Sequence, residues 1–157
     1  MTPQVSTLAI APTATGMLIR IEGRASIPQS EAVEAVVRDL CTADNQLHLV
    51  IDLAACTYVD STFLGTLVRQ CQRLGKDRFA LVAPGEEAQR QLETTRLITL
   101  FTVLPEPPPV LGPWQAIPVS ELDATAFAHQ VREAHRALAA IPGPQQAAFQ
   151  AVVDQLG

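Results

Sequence analysis

The sequence predicts an α/β protein with a mixed, mostly parallel sheet flanked by helices and a C-terminal helical extension. Three observations carry this. First, short β-rich runs alternate with amphipathic helical patterns in the order β-β-α-β-α-β-α-β, which implies largely parallel pairing with right-handed crossovers. Second, 48% of the residues are apolar and only 4% aromatic, so the core must be built from Leu, Val, Ile and Ala. Third, six of the twelve prolines lie between Pro105 and Pro118. Proline lacks an N–H donor and fixes φ, so this run is neither regular helix nor central strand. It reads as an extended linker at 105–118, between a core domain at 1–104 and a helical segment at 119–157.

The elements follow in order. Val5 to Ile10 and Met17 to Glu22 are β-rich runs around a turn with Pro12 and Gly16, the pattern of an antiparallel hairpin. Pro28 opens a helix over about 29–42, with Ala32, Val33, Val36, Val37 and Leu40 on one face. Residues 47–53, LHLVIDL, read as a buried strand, followed by a short loop. Thr62 to Leu74 has helical apolar spacing, and Gly75 stops it. Arg78 to Val82 is a strand, Pro84-Gly85 turns into a short helix over about 86–95, and Phe101 to Leu104 is an edge strand. In the tail, Ser120 is read as a helix cap with Asp123 in the capping-box position. That helix runs to about Ile141, with Phe127, Val131, Ala134, Leu138 and Ile141 on one face. Pro142-Gly143-Pro144 breaks it before a second helix over about 145–156. Both tail helices carry apolar stripes that the core, each other or a second copy of the chain must cover.

Composition excludes several function classes. Eleven Lys plus Arg stand against sixteen Asp plus Glu, a net charge of −5. This argues against nucleic-acid binding, which needs clustered positive charge, and against docking on an anionic membrane. The longest apolar runs fall far short of the ~20 residues that span a bilayer. Met1 to Arg20 has no basic start and no continuous apolar stretch, so no signal peptide is expected. Cys41, Cys56 and Cys71 are spaced by fifteen and match no metal-ligand pattern. They read as reduced, buried thiols of a cytoplasmic protein.

The segment from Val50 to Leu67 is the informative one. A buried strand ends near Leu53, and Asp60-Ser61-Thr62 starts an amphipathic helix. Asp and Ser oxygens can bind the free N–H groups of a first turn, and the positive end of the helix dipole favours the Asp60 charge. Helix capping by itself accounts for these residue types. The order of residues also matters, however. Asp52-Leu53, Val59-Asp60-Ser61-Thr62, Leu64-Gly65 and Leu67 resemble the signature of the STAS domain, the domain of anti-sigma factor antagonists. The resemblance covers about residues 5–104.

The resemblance implies a protein-binding switch. In phosphorylatable members the Ser after the Asp, here Ser61, accepts phosphate from a serine kinase that is itself the anti-sigma factor. A phosphatase resets it. Thr62 is the alternative acceptor, and Asp60, Ser61, Thr62, Phe63 and Leu64 are the implied partner-binding residues. Phe63 stands where the family pattern carries Gly, so it either narrows the approach of a kinase or serves as a contact. Phe63 and the extra helices motivate an alternative, a non-phosphorylated STAS scaffold subunit of a transport or stress-sensing complex.

Other residues carry less. No Gly-rich phosphate loop is present, and no cofactor, metal or catalytic group is expected. His129 and His135 are six apart, not the i, i+4 spacing of paired ligands on a helix. His48 reads as a strand residue, and Arg132 and Arg136 as solvated or docking charges. Gly65 reads as a small residue that lets its helix approach the sheet. The sequence places no base beside Ser61.

Overall fold

The computed structural model describes residues 6–82 and 85–156. The predicted Val5 and Pro84 lie outside them. Strands β1 (Thr7–Pro12) and β2 (Met17–Ala25) form the expected antiparallel hairpin. Its turn is closed by the Thr13 N–H on the Gly16 carbonyl, at 2.8 Å. Helix α1 (Ile27–Ala43) leads to β3 (Leu49–Asp52), and a further strand, β4 (Cys56–Val59), precedes α2 (Ser61–Leu74). Strand β5 (Phe79–Val82), α3 (Glu86–Thr94) and the edge strand β6 (Thr102–Leu104) complete the core, with a 3-10 turn at Leu97–Leu100. Strand β7 (Gln115–Ala116) and helices α4 (Ala124–Ala139) and α5 (Gln146–Leu156) follow.

The strand order is β6-β5-β3-β2-β1-β7, with β4 pairing off β2. Pairs β2–β3, β3–β5, β5–β6 and β2–β4 are parallel, and β1–β2 and β1–β7 antiparallel. The mixed, mostly parallel sheet flanked by helices is therefore as predicted. Leu18, Ile19, Ile21, Leu49, Ile51, Leu53 and Leu81 are fully buried or nearly so, which is the aliphatic core that the low aromatic content requires. Among the described residues no helix is long and apolar enough to cross a membrane. Cys56 is buried, while Cys41 and Cys71 are only half-buried, and all three are free thiols.

Four expectations need correction. The segment after Leu53 is not all loop: Cys56–Val59 forms β4, paired with β2. The switch of partner happens at a bulge at Gly23, whose φ of 84° suits glycine. Second, the proline-rich segment is not a free spacer. Leu111 N–H bonds the Pro12 carbonyl and Ile117 N–H bonds the Leu8 carbonyl, both at 2.9 Å. The segment thus lines the edge of β1. Third, Asp123, not Ser120, caps the first tail helix, its carboxylate accepting from Ala126 N–H at 2.8 Å. The chain is still held extended at Ile117, so helix cannot begin at Ser120. Fourth, the buried face of α4 is Gln130, Ala134, His135, Leu138 and Ala139. Phe127, predicted on that face, is 46% exposed.

Candidate functional site

The site is built where β4 turns into α2. Asp60 N–H bonds the Ala25 carbonyl at 3.1 Å, which ties the turn to the end of β2. The Asp60 carboxylate accepts from Phe63 N–H at 2.8 Å, so Asp60 is the N-cap and Ser61 the first helical residue. Burial pushes the Asp60 carboxyl above the ordinary range, against the Phe63 N–H bond and the positive influence of His135. A raised native pKa means that folding favours the protonated acid. Stability from this group is full below about pH 4, the ordinary carboxylate value, and is lost as pH rises through the raised one. Asp60→Asn keeps a capping oxygen and should flatten that slope in denaturation curves taken across pH. Asp60→Ala should cost about 1 kcal/mol of stability at neutral pH through the lost cap.

Ser61 has a partner that sequence separation hides. Its Oγ lies 2.9 Å from His135 Nε2, across 74 residues. His135 Nδ1 lies 2.7 Å from the Val131 carbonyl. A carbonyl only accepts, so Nδ1 carries a proton, and in the neutral ring Nε2 accepts from the Ser61 hydroxyl. His135 is 4% exposed, and Phe149 of α5 packs edge-on against it at 5.9 Å. The pair resembles half of a nucleophile–base arrangement, with the His135 ring buried beside Phe149 and Ser61 half-buried at the turn. Two clefts of about 730 and 570 Å³ lie elsewhere, and neither is lined by Ser61 or His135.

The STAS domain family model matches residues 8–106. The chain belongs to the STAS domain family. Solved structures agree on the fold. An anti-sigma factor antagonist from Mycobacterium paratuberculosis superposes with a TM-score of 0.58 at 24% identity, covering 67% of this chain and 90% of that one. The anti-sigma factor antagonist SpoIIAA in its unphosphorylated form superposes with a TM-score of 0.54 at 14% identity, covering 65% and 90% respectively. The family match ends at residue 106, so α4 and α5 lie beyond the matched residues.

Within the STAS domain, the residues singled out by the motif separate into two groups. Asp60 and Ser61 are half-buried at the turn. Thr62, Phe63 and Leu64 are buried, Phe63 completely. Phe63 fills the core under the turn, so it neither narrows an approach nor offers a contact in this conformation. Gly65 faces α4 rather than the sheet: a Cβ there would lie 2.2 Å from the Ala134 carbonyl oxygen. The open surface next to Asp60 carries Arg24, stacked on the Tyr58 ring at 4.3 Å. His135, Gln130, Arg24 and Tyr58 were not found from sequence. Tyr58 and Arg24 meet only because β4 pairs with β2. His129 is exposed, near Arg132 at 3.3 Å, and Arg136 pairs with Glu133 at 3.0 Å.

Proposed function

We propose that this STAS domain is a protein-binding switch of the anti-sigma factor antagonist type, with an anti-sigma serine kinase as partner and Ser61 as phosphoacceptor. The observation that carries the reading is Ser61 itself, the first residue of α2, directly after the capping Asp60 and within the STAS motif. A helix N-terminus tolerates a phosphate, because free amides and the dipole face it. The modification adds about −1.5 to −2 charge and three strong acceptors beside Asp60. The fold can survive that charge, but an interface that must bury it unpaired cannot. One phosphate thus turns binding off, and a phosphatase restores it. The switch needs no catalytic group, cofactor or metal of its own. It acts in the cytoplasm, where kinase and sigma factor meet.

Intact-mass measurement of the protein from its native host, with and without phosphatase, tests the reading. The expected result is a species heavier by one phosphate, mapped to Ser61 and lost in Ser61→Ala. A full phosphate yield in Ser61→Ala would overturn the site, with Thr62 the next acceptor to map. Thr62 is buried, so Ser61 is the better placed of the two.

One observation favours the scaffold reading instead: the Ser61 hydroxyl is already engaged by His135 of α4. An unmodified mass under all growth conditions, with co-elution of a transporter ATPase or a stress-sensing assembly, would make that reading the better one. A homodimer through the tail is not required to bury its apolar face, because α2 and α5 already cover much of it.

A further inference from the structure

Helix α4 lies antiparallel along α2 and meets it at three successive points. Ser61 Oγ meets His135 Nε2 at 2.9 Å. Gly65 meets the backbone and side chain of Ala134, with no space for a Cβ. Thr66 Oγ1 accepts from Gln130 Nε2 at 3.2 Å, and both residues are buried. The face of α2 beneath α4 is therefore small and largely polar at this end. Such a face can stand in water as well as under a helix, whereas the opposite face, with Phe63 and Leu67, cannot. Helix α5 adds Phe149 behind His135. The tail is also tied at a defined place: Ile117 is bonded to β1 and Asp123 caps α4, so residues 118–122, with Val119 against the core, connect the two.

From these contacts we infer that the Ser61–Gly65–Thr66 face of α2 is a helix-docking surface occupied in cis by the α4–α5 hairpin, which must lift about residues 118–122 before the half-buried Ser61 is released from His135 and becomes fully accessible. This rests on the reading of Ser61 as the regulated residue. It adds that access to Ser61 is controlled by the chain's own tail. A partner helix would compete with α4 by presenting a small residue opposite Gly65 and polar groups opposite Ser61 and Thr66.

The test uses the full chain carrying Ser61→Cys, labelled with a polyethylene-glycol maleimide too bulky to enter a docked interface. Labelling at position 61 is mapped by peptide mass. Two variants push the helices apart from opposite sides: Gly65→Ala on α2 and Ala134→Leu on α4. Slow labelling of the Ser61→Cys protein is expected, rising about tenfold or more in each double variant with native circular dichroism retained. Fast labelling without either substitution, or equally slow labelling in all three, would overturn the inference. So would loss of native circular dichroism in both double variants, because the hairpin would then be inseparable from the core. Kinase and ATP play no part in this readout. A shielded thiol in a protein that never carries phosphate would sink the kinase reading and leave the cover standing.

Discussion

Phe63→Ala should lower folding stability by about 3–5 kcal/mol, the range for truncating a fully buried aromatic side chain. Phe63 is 0% exposed and belongs to the aliphatic core cluster with Leu67 and Val59. Phe63→Leu keeps most of the volume and should cost less than about 1.5 kcal/mol. Urea denaturation of the three proteins gives the comparison directly. The pair of variants also separates two roles. If Phe63 acts only through the core, Phe63→Leu retains whatever partner the protein captures from its host. A Phe63→Leu protein of unchanged stability that no longer captures it would make Phe63 a contact, and would require α2 to rearrange on binding.

Leu138→Ala should act on the tail more than on the STAS domain. Leu138 is 1% exposed and joins the α4 face to the core cluster. Truncating a buried Leu costs about 2–5 kcal/mol, which corresponds to roughly 30-fold or more in an opening equilibrium. If the hairpin opens as its own unit, amide hydrogen exchange should lose that protection in α4 and α5, while β3 and β5 keep theirs. An equal loss of protection in β3 and β5 would mean that the tail and the sheet unfold together.

The two variants probe faces of one arrangement. Residues Thr62 to Val68 are buried without a break, because α2 has the core on one side and α4 on the other. The apolar spacing of α2 reports only the first of these faces. The second is made of Ser61, Gly65 and Thr66, of which the sequence reads Ser61 as a helix start and Gly65 as a point of close approach to the sheet. Gly65 shows the difference well. Its cost in a helix, about 1 kcal/mol, signals that something comes close. Whether that neighbour is the sheet or another helix depends on contacts more than 60 residues away in the chain. The neighbour is Ala134.

The boundaries of the tail show the same limit. Both Ser120 and Asp123 are good capping residues, and local preference does not choose between them. The choice is made by the pairing of β7 with β1 and by the bond from Ile117 to Leu8, which keep the preceding chain extended. Strand β4 was missed for a related reason. Four residues, Cys56 to Val59, are too few to show a period, and their pairing depends on a bulge at Gly23 in another element.

What the sequence determined by itself was what local and periodic signals encode. The alternation of strands and helices, the aliphatic core and the hairpin at Pro12–Gly16 belong here. So do the α2 start at Asp60-Ser61, the stop at Gly75 and the STAS family. Each depends on residues within a turn or two of one another, or on a motif within one segment. Only the tertiary structure decided that Ser61 is bonded to His135, that Gly65 faces Ala134 and Thr66 meets Gln130, and that the tail lies over α2. Those facts depend on packing between segments that are distant in the chain. The residues involved, a serine, a histidine, a glycine and a glutamine, carry no periodic signal that would announce their partners.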